Sequence, residues 1–240
     1  IQNMKYSIII PTLNEEEGIA KVLCAIPKEI LSAGEVLVMD SSTDMTPEIA
    51  VRLGAIVIRP AGKGKGNAMR DGVRHAQGDI LIFMDGDGTD PPQQIPKLIK
   101  KLEYFDIVLG ARSVDLEADE HYKYIGRIWQ SLVMPVLGKA GLKIKGDALA
   151  GFRVMRKNTW NKLNLEATDF LIETEMNVKA LKLGMRIGEV PIPHLKRAGG
   201  LLKSKFLRSP DQWVKIIKYV LKQKFKDNFD KYIHYGKPLI

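Results

Sequence analysis

The chain has 240 residues, of which 45% are hydrophobic, and this length and composition fit one large or two small globular domains with a substantial core. The single cysteine, Cys24, excludes an intramolecular disulfide framework and is typical of a reducing compartment. No apolar run approaches the roughly 18 residues needed to cross a bilayer, and no signal peptide is recognisable, so we expect neither a membrane span nor a leader.

The net charge of +9 is concentrated at the C-terminal end of the chain. Residues 196–240 contain 12 Lys or Arg against 3 Asp, whereas the first 195 residues contain 25 basic and 25 acidic residues. Such a segment is expected to face an anionic lipid surface or a nucleic acid, or to be a helix with a solvated face.

Short β-branched runs alternate with helix-length segments along the first 112 residues. The predicted strands cover residues 6–12, 35–40, 55–60, 79–85 and 106–112, and the predicted helices cover residues 16–30, 66–76 and 92–103. Because the strands are apolar throughout and helices separate them, this pattern predicts an α/β fold with a mostly parallel sheet flanked by helices. An apolar helical segment at 126–142 and a strand-like run at 147–155 follow.

Polar side chains follow four of the predicted strands at the point where each strand ends. They are Asn14 and Glu15 after the first strand, Asp40 after the second, Asp85 and Asp87 after the fourth, and Arg112 after the fifth. In open parallel sheets, ligands bind beyond the carboxyl ends of the strands. The sequence therefore predicts a ligand site at this edge.

Two acidic residues, Asp85 and Asp87, continue directly from an apolar strand. If the strand continues through them, their side chains face the same side. Two hard oxygen ligands suit Mg²⁺ or Mn²⁺, which shares its coordination shell with a substrate's phosphates, and Gly86 permits a close approach of that ligand. We interpret the next acid, Asp90, as an ordinary helix N-cap with Pro91 as the first helical residue.

A glycine-rich basic stretch, GKGKGNAMRDG, begins at Gly62 and includes Lys65. Alternating glycines and lysines before a helix are expected to cradle phosphates, although the stretch matches neither the P-loop nor the dinucleotide fingerprint. A flexible basic loop is the alternative. The four histidines are scattered, without the spacing of a metal site.

The basic C-terminal segment has helical periodicity from Trp213 onwards. Apolar residues occupy positions 213, 216, 217, 220, 221 and 225, while Lys215, Lys218, Lys222 and Lys226 fall on the other face. One interpretation is in-plane binding to an anionic membrane. The other is a helix packed on the rest of the protein with its lysines in water.

Eight segments carry a resemblance to a known family. They are, in order, PTLNEEEGI, VMDSSTDMT, GKGKGNAMRDG, MDGDGTDPP, GAR, AGFRVM, FLIETEM and IGEVPIPHLKRAGG. Over residues 5–208 the chain resembles family 2 glycosyltransferases with the GT-A fold, in particular the dolichyl-phosphate or polyprenyl-phosphate mannose and glucose synthases. The resemblance implies a Rossmann-like catalytic domain at residues 4–208, followed by a basic amphipathic helical tail at residues 209–240.

The resemblance also implies an activity: inverting transfer of mannose or glucose from GDP-mannose or UDP-glucose to a dolichyl or polyprenyl phosphate. It implies that Asp85 and Asp87 form the family's DxD element and hold Mg²⁺ or Mn²⁺ against the donor diphosphate. The donor-binding residues that it implies are Pro11, Asn14, Glu15, Asp40, Lys65, Asp85, Gly86, Arg197 and Lys205.

The catalytic residues implied by the resemblance are Asp87, Arg112 and Glu175. Glu175 corresponds to the acid of a Phe-x-x-Glu motif and is expected to hold a sugar hydroxyl or steer the acceptor, with a helix-surface glutamate as the alternative. The acceptor phosphate is expected at Arg112 together with Arg127 and Ser131, which are four residues apart and lie on one helix face.

Two positions depart from the family pattern. Met39 stands before Asp40 where relatives carry a second aspartate, and Gly88-Thr89-Asp90 follows the DxD element where many mannose synthases have Leu-Gln-His. These departures leave open the contact with the base, a third metal ligand and the choice between GDP-mannose and UDP-glucose.

The partners expected from this interpretation are a nucleotide-sugar donor, a lipid phosphate acceptor and the cytoplasmic face of a membrane, bound peripherally. Nucleic acid is not expected, because the lysine face has no interleaved aromatic residues for stacking bases. The alternatives are a glycosyltransferase with a soluble acceptor such as 3-phosphoglycerate, and a non-catalytic sugar-nucleotide or nucleic-acid-binding protein.

Overall fold

A computed structural model of the chain describes residues 5–113, 149–200 and 210–226. In these residues seven strands form one sheet with the order β3-β2-β1-β4-β6-β5-β7. The strands are β1 (Tyr6–Thr12), β2 (Gly34–Asp40), β3 (Ile56–Ile58), β4 (Ile80–Phe83), β5 (Ile107–Ser113), β6 (Arg153–Arg156) and β7 (Ile187–Pro193). The five strands predicted in the first 112 residues are all present.

The sheet is mostly parallel, as predicted. Strand β6 runs antiparallel to both of its neighbours, β4 and β5, and the other four pairs are parallel. Because β1, β2 and β4 are parallel and adjacent, their carboxyl ends meet at one edge, where Thr12 pairs with Asp40.

Helices cover both faces of the sheet. They are α1 (Glu16–Cys24), α2 (Lys28–Leu31), α3 (Thr46–Arg52), α4 (Lys65–His75), α5 (Ile95–Lys101), α6 (Lys157–Leu163), α7 (Leu171–Lys182) and α8 (Pro210–Lys226), with a 3₁₀ turn at Pro92–Gln94. Alternate residues of each strand enter two separate cores, so that Ile9 packs with α4 and α7 while Ile8 and Ile10 pack with α1 and α5. Burial on both faces explains why the strands are apolar throughout.

Three local predictions differ from the structure. The helix expected over residues 16–30 is broken into α1 and α2, since Pro27 has no N–H to donate within a helix. Strand β4 ends at Phe83, so Asp85 and Asp87 lie in the turn that follows and not on a continuing strand. The prediction that Asp90 caps the next helix is wrong, because Pro91 precedes that helix and Asp90 accepts the backbone N–H of Asp85 at 3.3 Å.

Helix α8 confirms the helical periodicity predicted from Trp213 onwards. Its apolar residues divide into two groups: Ile216 and Val220 are buried in the core beside α7, whereas Val214, Ile217 and Leu221 are exposed. The helix therefore packs on the core that includes α7 and still presents an apolar stripe to solvent. Among the residues described, no helix is both long enough and apolar enough to cross a membrane.

Candidate active site

The predicted ligand site lies at the carboxyl edge of the sheet. The turn after β4 forms its centre, and the loops after β1 and β2, the start of α4 and the segment after β7 surround it. The segment after β7 is attached to the central turn through its backbone, since Leu195 donates to the carbonyl of Thr89 at 3.1 Å and Ala198 donates to that of Asp87 at 3.0 Å.

Asp87 is held on both of its carboxylate oxygens. Its Oδ1 accepts the backbone N–H of Thr89 at 2.9 Å and the Thr89 hydroxyl at 2.7 Å. Its Oδ2 pairs with Nη1 of Arg197, whose Nη2 lies 2.8 Å from Oε1 of Glu15. One guanidinium therefore bridges an acid after β1 and an acid after β4.

Asp85 pairs with a different cation. The Nζ atom of Lys65 lies 2.6 Å from Oδ1 of Asp85 and 2.6 Å from Oε1 of Glu173. Lys65 is the first residue of α4, and the glycine-rich loop brings it to the site. Gly66 allows this, because a Cβ atom there would overlap the carbonyl oxygen of Ala167 in the segment before α7.

The backbone of the central turn packs directly against α1. A Cβ atom on Gly18 would come within 2.6 Å of the carbonyl oxygen of Gly86 and 2.9 Å of the Asp87 backbone. Contacts this short are not tolerated in folded proteins, so only glycine fits at position 18 without a shift of the turn. Helix α1 thus fixes the height of Asp87 above the sheet.

The electrostatics of the site follow from these contacts. Burial favours the neutral form of Asp85, but the charges of Lys65, Arg197 and Arg112 outweigh it and lower the pKa of Asp85. Burial likewise opposes the charge on Lys65, but Asp85 and Glu173 raise its pKa. Burial and the negative charges of Asp85 and Asp87 raise the pKa of Asp90 to about 8.

The acids of the site suit a divalent cation that is shared with a ligand. Among the described residues, no three Asp, Glu, His or Cys side chains gather closely enough to hold a metal by themselves. Asp85 and Asp87 nevertheless offer hard carboxylate oxygens, and each is already neutralised by a cationic side chain. Mg²⁺ and Mn²⁺ fit such a donor set when substrate phosphates complete the coordination shell.

The loops after β1 and β2 are joined by polar side chains. Asp40 accepts the Thr12 hydroxyl at 2.7 Å and the Ser42 hydroxyl at 2.6 Å. Asn14, whose φ is 55°, accepts the backbone N–H of Thr43 at 2.9 Å. Pro11 lies in β1 opposite Met39, one residue before these contacts. Three of the predicted donor-binding residues, Pro11, Asn14 and Asp40, are thus collected at one rim of the site.

Glu175 and Glu173 lie on α7 but have different environments. Glu175 accepts the backbone N–H groups of Glu166 and Ala167, the latter at 2.8 Å, and pairs with Lys179 at 2.8 Å. Glu173 instead contacts Lys65 at the site. Glu173 was not among the residues predicted from the sequence, although it is the glutamate that stands three residues after Phe170.

A buried arginine supports the start of α7. Arg153 is 0% exposed, and its Nε donates to the carbonyl of Ala150 at 3.1 Å. Its Nη1 reaches the Asn177 side-chain oxygen at 3.4 Å and the Glu173 carbonyl at 3.5 Å. The guanidinium therefore joins β6 to the helix that carries Glu173.

The remaining predicted residues are only partly located by the structure. Arg112 lies near the end of β5, close enough to lower the pKa of Asp85. Arg127, Ser131 and Lys205 lie outside the described residues, as does the apolar segment at 126–142. The structure thus brings together the predicted donor-binding residues as far as it describes them.

The fold and the site define an α/β protein in which acidic and cationic side chains are paired at the carboxyl edge of a mostly parallel sheet. Residues 7–163 match the model of glycosyl transferase family 2, and the chain belongs to this family.

Two similar proteins with curated descriptions come from archaea. The chain is 33% identical over 219 residues to the low-salt glycan biosynthesis hexosyltransferase Agl6 of Haloferax volcanii, covering 86% of this chain and 51% of that protein. It is 32% identical over 212 residues to the dolichol-phosphate mannosyltransferase of Pyrococcus furiosus, covering 84% of this chain and 60% of that protein. The chain therefore spans only about half of Agl6 and three-fifths of the Pyrococcus enzyme.

Solved structures share the fold. Glucosyl-3-phosphoglycerate synthase from Mycobacterium tuberculosis, in complex with Mn²⁺, UDP-glucose and phosphoglyceric acid, superposes with a TM-score of 0.72 at 23% identity, covering 92% of this chain and 79% of that one. Mannosyl-3-phosphoglycerate synthase from Rubrobacter xylanophilus gives a TM-score of 0.72 at 20% identity, covering 93% and 76%. The GT-A fold expected from the resemblance is confirmed.

Proposed function

We propose that this chain is a hexosyltransferase that moves mannose or glucose from a nucleotide sugar to a dolichyl or polyprenyl phosphate, with inversion at the anomeric carbon. The observation that carries the proposal is the meeting of Asp85 and Asp87 with Lys65 and Arg197 at the carboxyl edge of the sheet. Cations and acids gathered in this way suit a ligand that brings both a diphosphate and a divalent metal. Archaeal relatives named for hexosyl transfer to a dolichol phosphate support the same conclusion.

The donor is expected to bind across the central turn. Asp85 and Asp87 would hold Mg²⁺ or Mn²⁺, which supplies positive charge to the departing nucleoside diphosphate. Arg197, together with Lys205, binds phosphate oxygens. Lys65 adds a second positive charge next to Asp85, whereas Arg197 lies next to Asp87. Asn14 and Asp40 lie at the rim where the nucleoside would sit.

The acceptor needs to be positioned more than activated. A phosphate monoester is already an oxygen nucleophile at neutral pH, so the protein must hold it in line with the anomeric carbon. We assign this task to Arg112, with Arg127 and Ser131 as further phosphate ligands, because arginine binds phosphate through two parallel hydrogen bonds. Glu173, fixed by Lys65, is placed to accept a sugar hydroxyl, and Glu175 shapes the loop behind it.

A membrane surface is part of this proposal. The exposed residues Val214, Ile217 and Leu221 fall on one side of α8, and Lys218 and Lys222 lie next to them. An apolar stripe flanked by lysines suits the interface of an anionic membrane, where a lipid-linked acceptor would be found. We place this membrane contact on the cytoplasmic face, bound peripherally.

A soluble acceptor is the second candidate. The fold is shared with 3-phosphoglycerate hexosyltransferases, and their named acceptor also carries a phosphate. A single assay separates the two functions. The protein is incubated with Mn²⁺ and a panel of nucleotide sugars, together with either polyprenyl phosphate or 3-phosphoglycerate.

A labelled product that partitions into organic solvent supports the lipid acceptor, whereas a water-soluble product supports the second candidate. Asp87→Asn should abolish either transfer while the protein remains folded. Asp79→Asn serves as its matched control, because Asp79 is exposed and lies at the opposite end of β4. Near-normal transfer by Asp87→Asn would show that the metal assignment is wrong.

A further inference from the structure

Arg197 pairs with two acids in a buried ion cluster at the rim formed by the ends of β1 and β4. The side chains of Arg197, Glu15 and Asp87 are 11%, 10% and 7% exposed. The carboxylates of Glu15 and Asp87 are shielded from water, so they would repel each other strongly without a positive charge between them. The guanidinium of Arg197 supplies that charge in the protein without ligands.

The same carboxylate of Asp87 is the one expected to bind a divalent metal. Its Oδ1 already accepts two hydrogen bonds from Thr89, and its Oδ2 is taken by Arg197. A metal ion that approached Asp87 alone would meet a like charge at contact distance. Arg197 and the metal therefore compete for one oxygen atom.

The two cations of the site differ in how firmly they are held. Lys65 belongs to helix α4, so its Cα cannot move far from Asp85 without unwinding a turn. Arg197 belongs to a segment with neither helix nor strand, which is attached to the central turn by two backbone hydrogen bonds. Its side chain can turn away while the backbone stays in place.

We propose that Arg197 occupies the metal-binding oxygen of Asp87 in the free protein, so that the metal enters together with the nucleotide diphosphate and not before it. The inference rests on the proposed function. When the diphosphate arrives, its negative charge gives Arg197 a new partner, and Asp87 is released. Arg197 thereby acts as a positioning residue that enforces joint entry of metal and donor.

The inference predicts a thermodynamic coupling that can be measured without turnover. In a titration followed by the electron paramagnetic resonance of free Mn²⁺, the unaltered chain should bind Mn²⁺ weakly, and UDP or GDP should tighten binding about tenfold or more. Arg197→Ala should tighten binding of Mn²⁺ alone about tenfold and reduce the effect of the nucleotide. A merely structural arginine would not move metal affinity in this direction.

The matched control is Arg186→Ala. Arg186 is exposed and lies 3.7 Å from Asp106 at the other end of β7, so its loss should leave Mn²⁺ binding unchanged. Arg197→Lys provides a second variant if the alanine variant does not fold. A single ammonium group cannot bridge Glu15 and Asp87 as a guanidinium does. The Mn²⁺ affinity of Arg197→Lys should therefore lie between that of the unaltered chain and that of Arg197→Ala.

Two outcomes would overturn the inference, and they are distinguishable. If Arg197→Ala or Arg197→Lys binds Mn²⁺ alone no better than the unaltered chain, Arg197 does not exclude the metal, although the proposed function stands. If no variant binds Mn²⁺ even with UDP or GDP, the proposed metal-dependent function fails together with the inference.

Discussion

Lys65 and Glu173 lie 108 positions apart in the chain, yet the ammonium group of Lys65 donates a hydrogen bond of 2.6 Å to the carboxylate of Glu173. The same ammonium group lies 2.6 Å from Asp85. One cation therefore neutralises an acid of the turn after β4 and an acid of α7, and it ties this helix to the centre of the site.

Replacement of Lys65 should damage both stability and transfer. Lys65→Met leaves two carboxylates without their shared cation, and loss of one member of a buried ion pair costs about 3–5 kcal/mol. Urea denaturation measures this cost. Transfer should fall by about 10²-fold or more, because a charge next to the donor diphosphate is lost. Lys63→Met, an exposed lysine of the same loop, should change neither quantity; equal effects of the two variants would contradict the assignment.

Replacing the two glutamates of α7 should affect different properties, kcat for Glu173 and stability for Glu175. Glu173→Gln should lower kcat about tenfold or more, because it removes a charge next to the donor site. Its effect on stability should be smaller than that of Lys65→Met, because Lys65 keeps its pairing with Asp85 and a glutamine oxygen can still accept its hydrogen bond. Glu175→Gln should lower the free energy of unfolding by about 1–3 kcal/mol, because it weakens charged hydrogen bonds to two backbone N–H groups. If Glu175→Gln instead abolishes transfer at unchanged stability, Glu175 has the catalytic role implied by the family resemblance.

Adjacent isoleucines on α8 test how this helix is docked. Ile216 is 1% exposed and Ile217 is 39% exposed. We expect Ile216→Ala to cost about 2–5 kcal/mol, because it leaves a cavity between α8 and α7. Ile217→Ala should cost less than about 0.5 kcal/mol. Equal costs in chemical denaturation would show that α8 does not pack as described.

Binding to anionic vesicles tests the exposed side of the same helix. The protein should sediment with phosphatidylglycerol vesicles at low salt and be released at high salt, because salt screens the attraction. Replacing Lys218 and Lys222 by Gln should weaken binding about tenfold or more. Replacing Lys97 and Lys100, two exposed lysines on α5, by Gln provides the control. Failure to sediment under either condition would refute the membrane contact and leave the transferase proposal intact.

The parallel part of the fold was predictable because its signals are local. Runs such as that from Ile8 to Ile10 are buried on both faces of the sheet, and this double burial requires the unbroken apolar pattern that predicts them. Strand β7 gave no such signal, since it contains Gly188, Pro191 and Pro193 and its exposure alternates. Its place at the edge of the sheet tolerates proline, and only the tertiary structure reveals that place.

The site was predictable to the extent that it depends on strand ends. Asp85, Asp87 and Glu15 follow strands, and parallel pairing brings strand ends together. The partners of these acids were not predictable in the same way. Arg197 reaches Asp87 from 110 positions away. Whether Glu173 or Glu175 contacts Lys65 depends on how α7 is rotated about its axis. The spacing of apolar residues predicts the orientation of a helix only when one face is exposed, and most of α7 is buried.

Arg153 makes one side of the site more rigid than the other. Its guanidinium is fully buried and joins the carbonyl of Ala150 to α7. A shift of α7 would therefore leave a buried charge without its hydrogen-bond partners. The segment that carries Arg197 forms neither helix nor strand, and it is attached by two backbone hydrogen bonds and by the ion pairs of Arg197 with Glu15 and Asp87. Under the proposed function, the rigid side would select the shape of the sugar, and the segment that carries Arg197 would adjust as the donor binds.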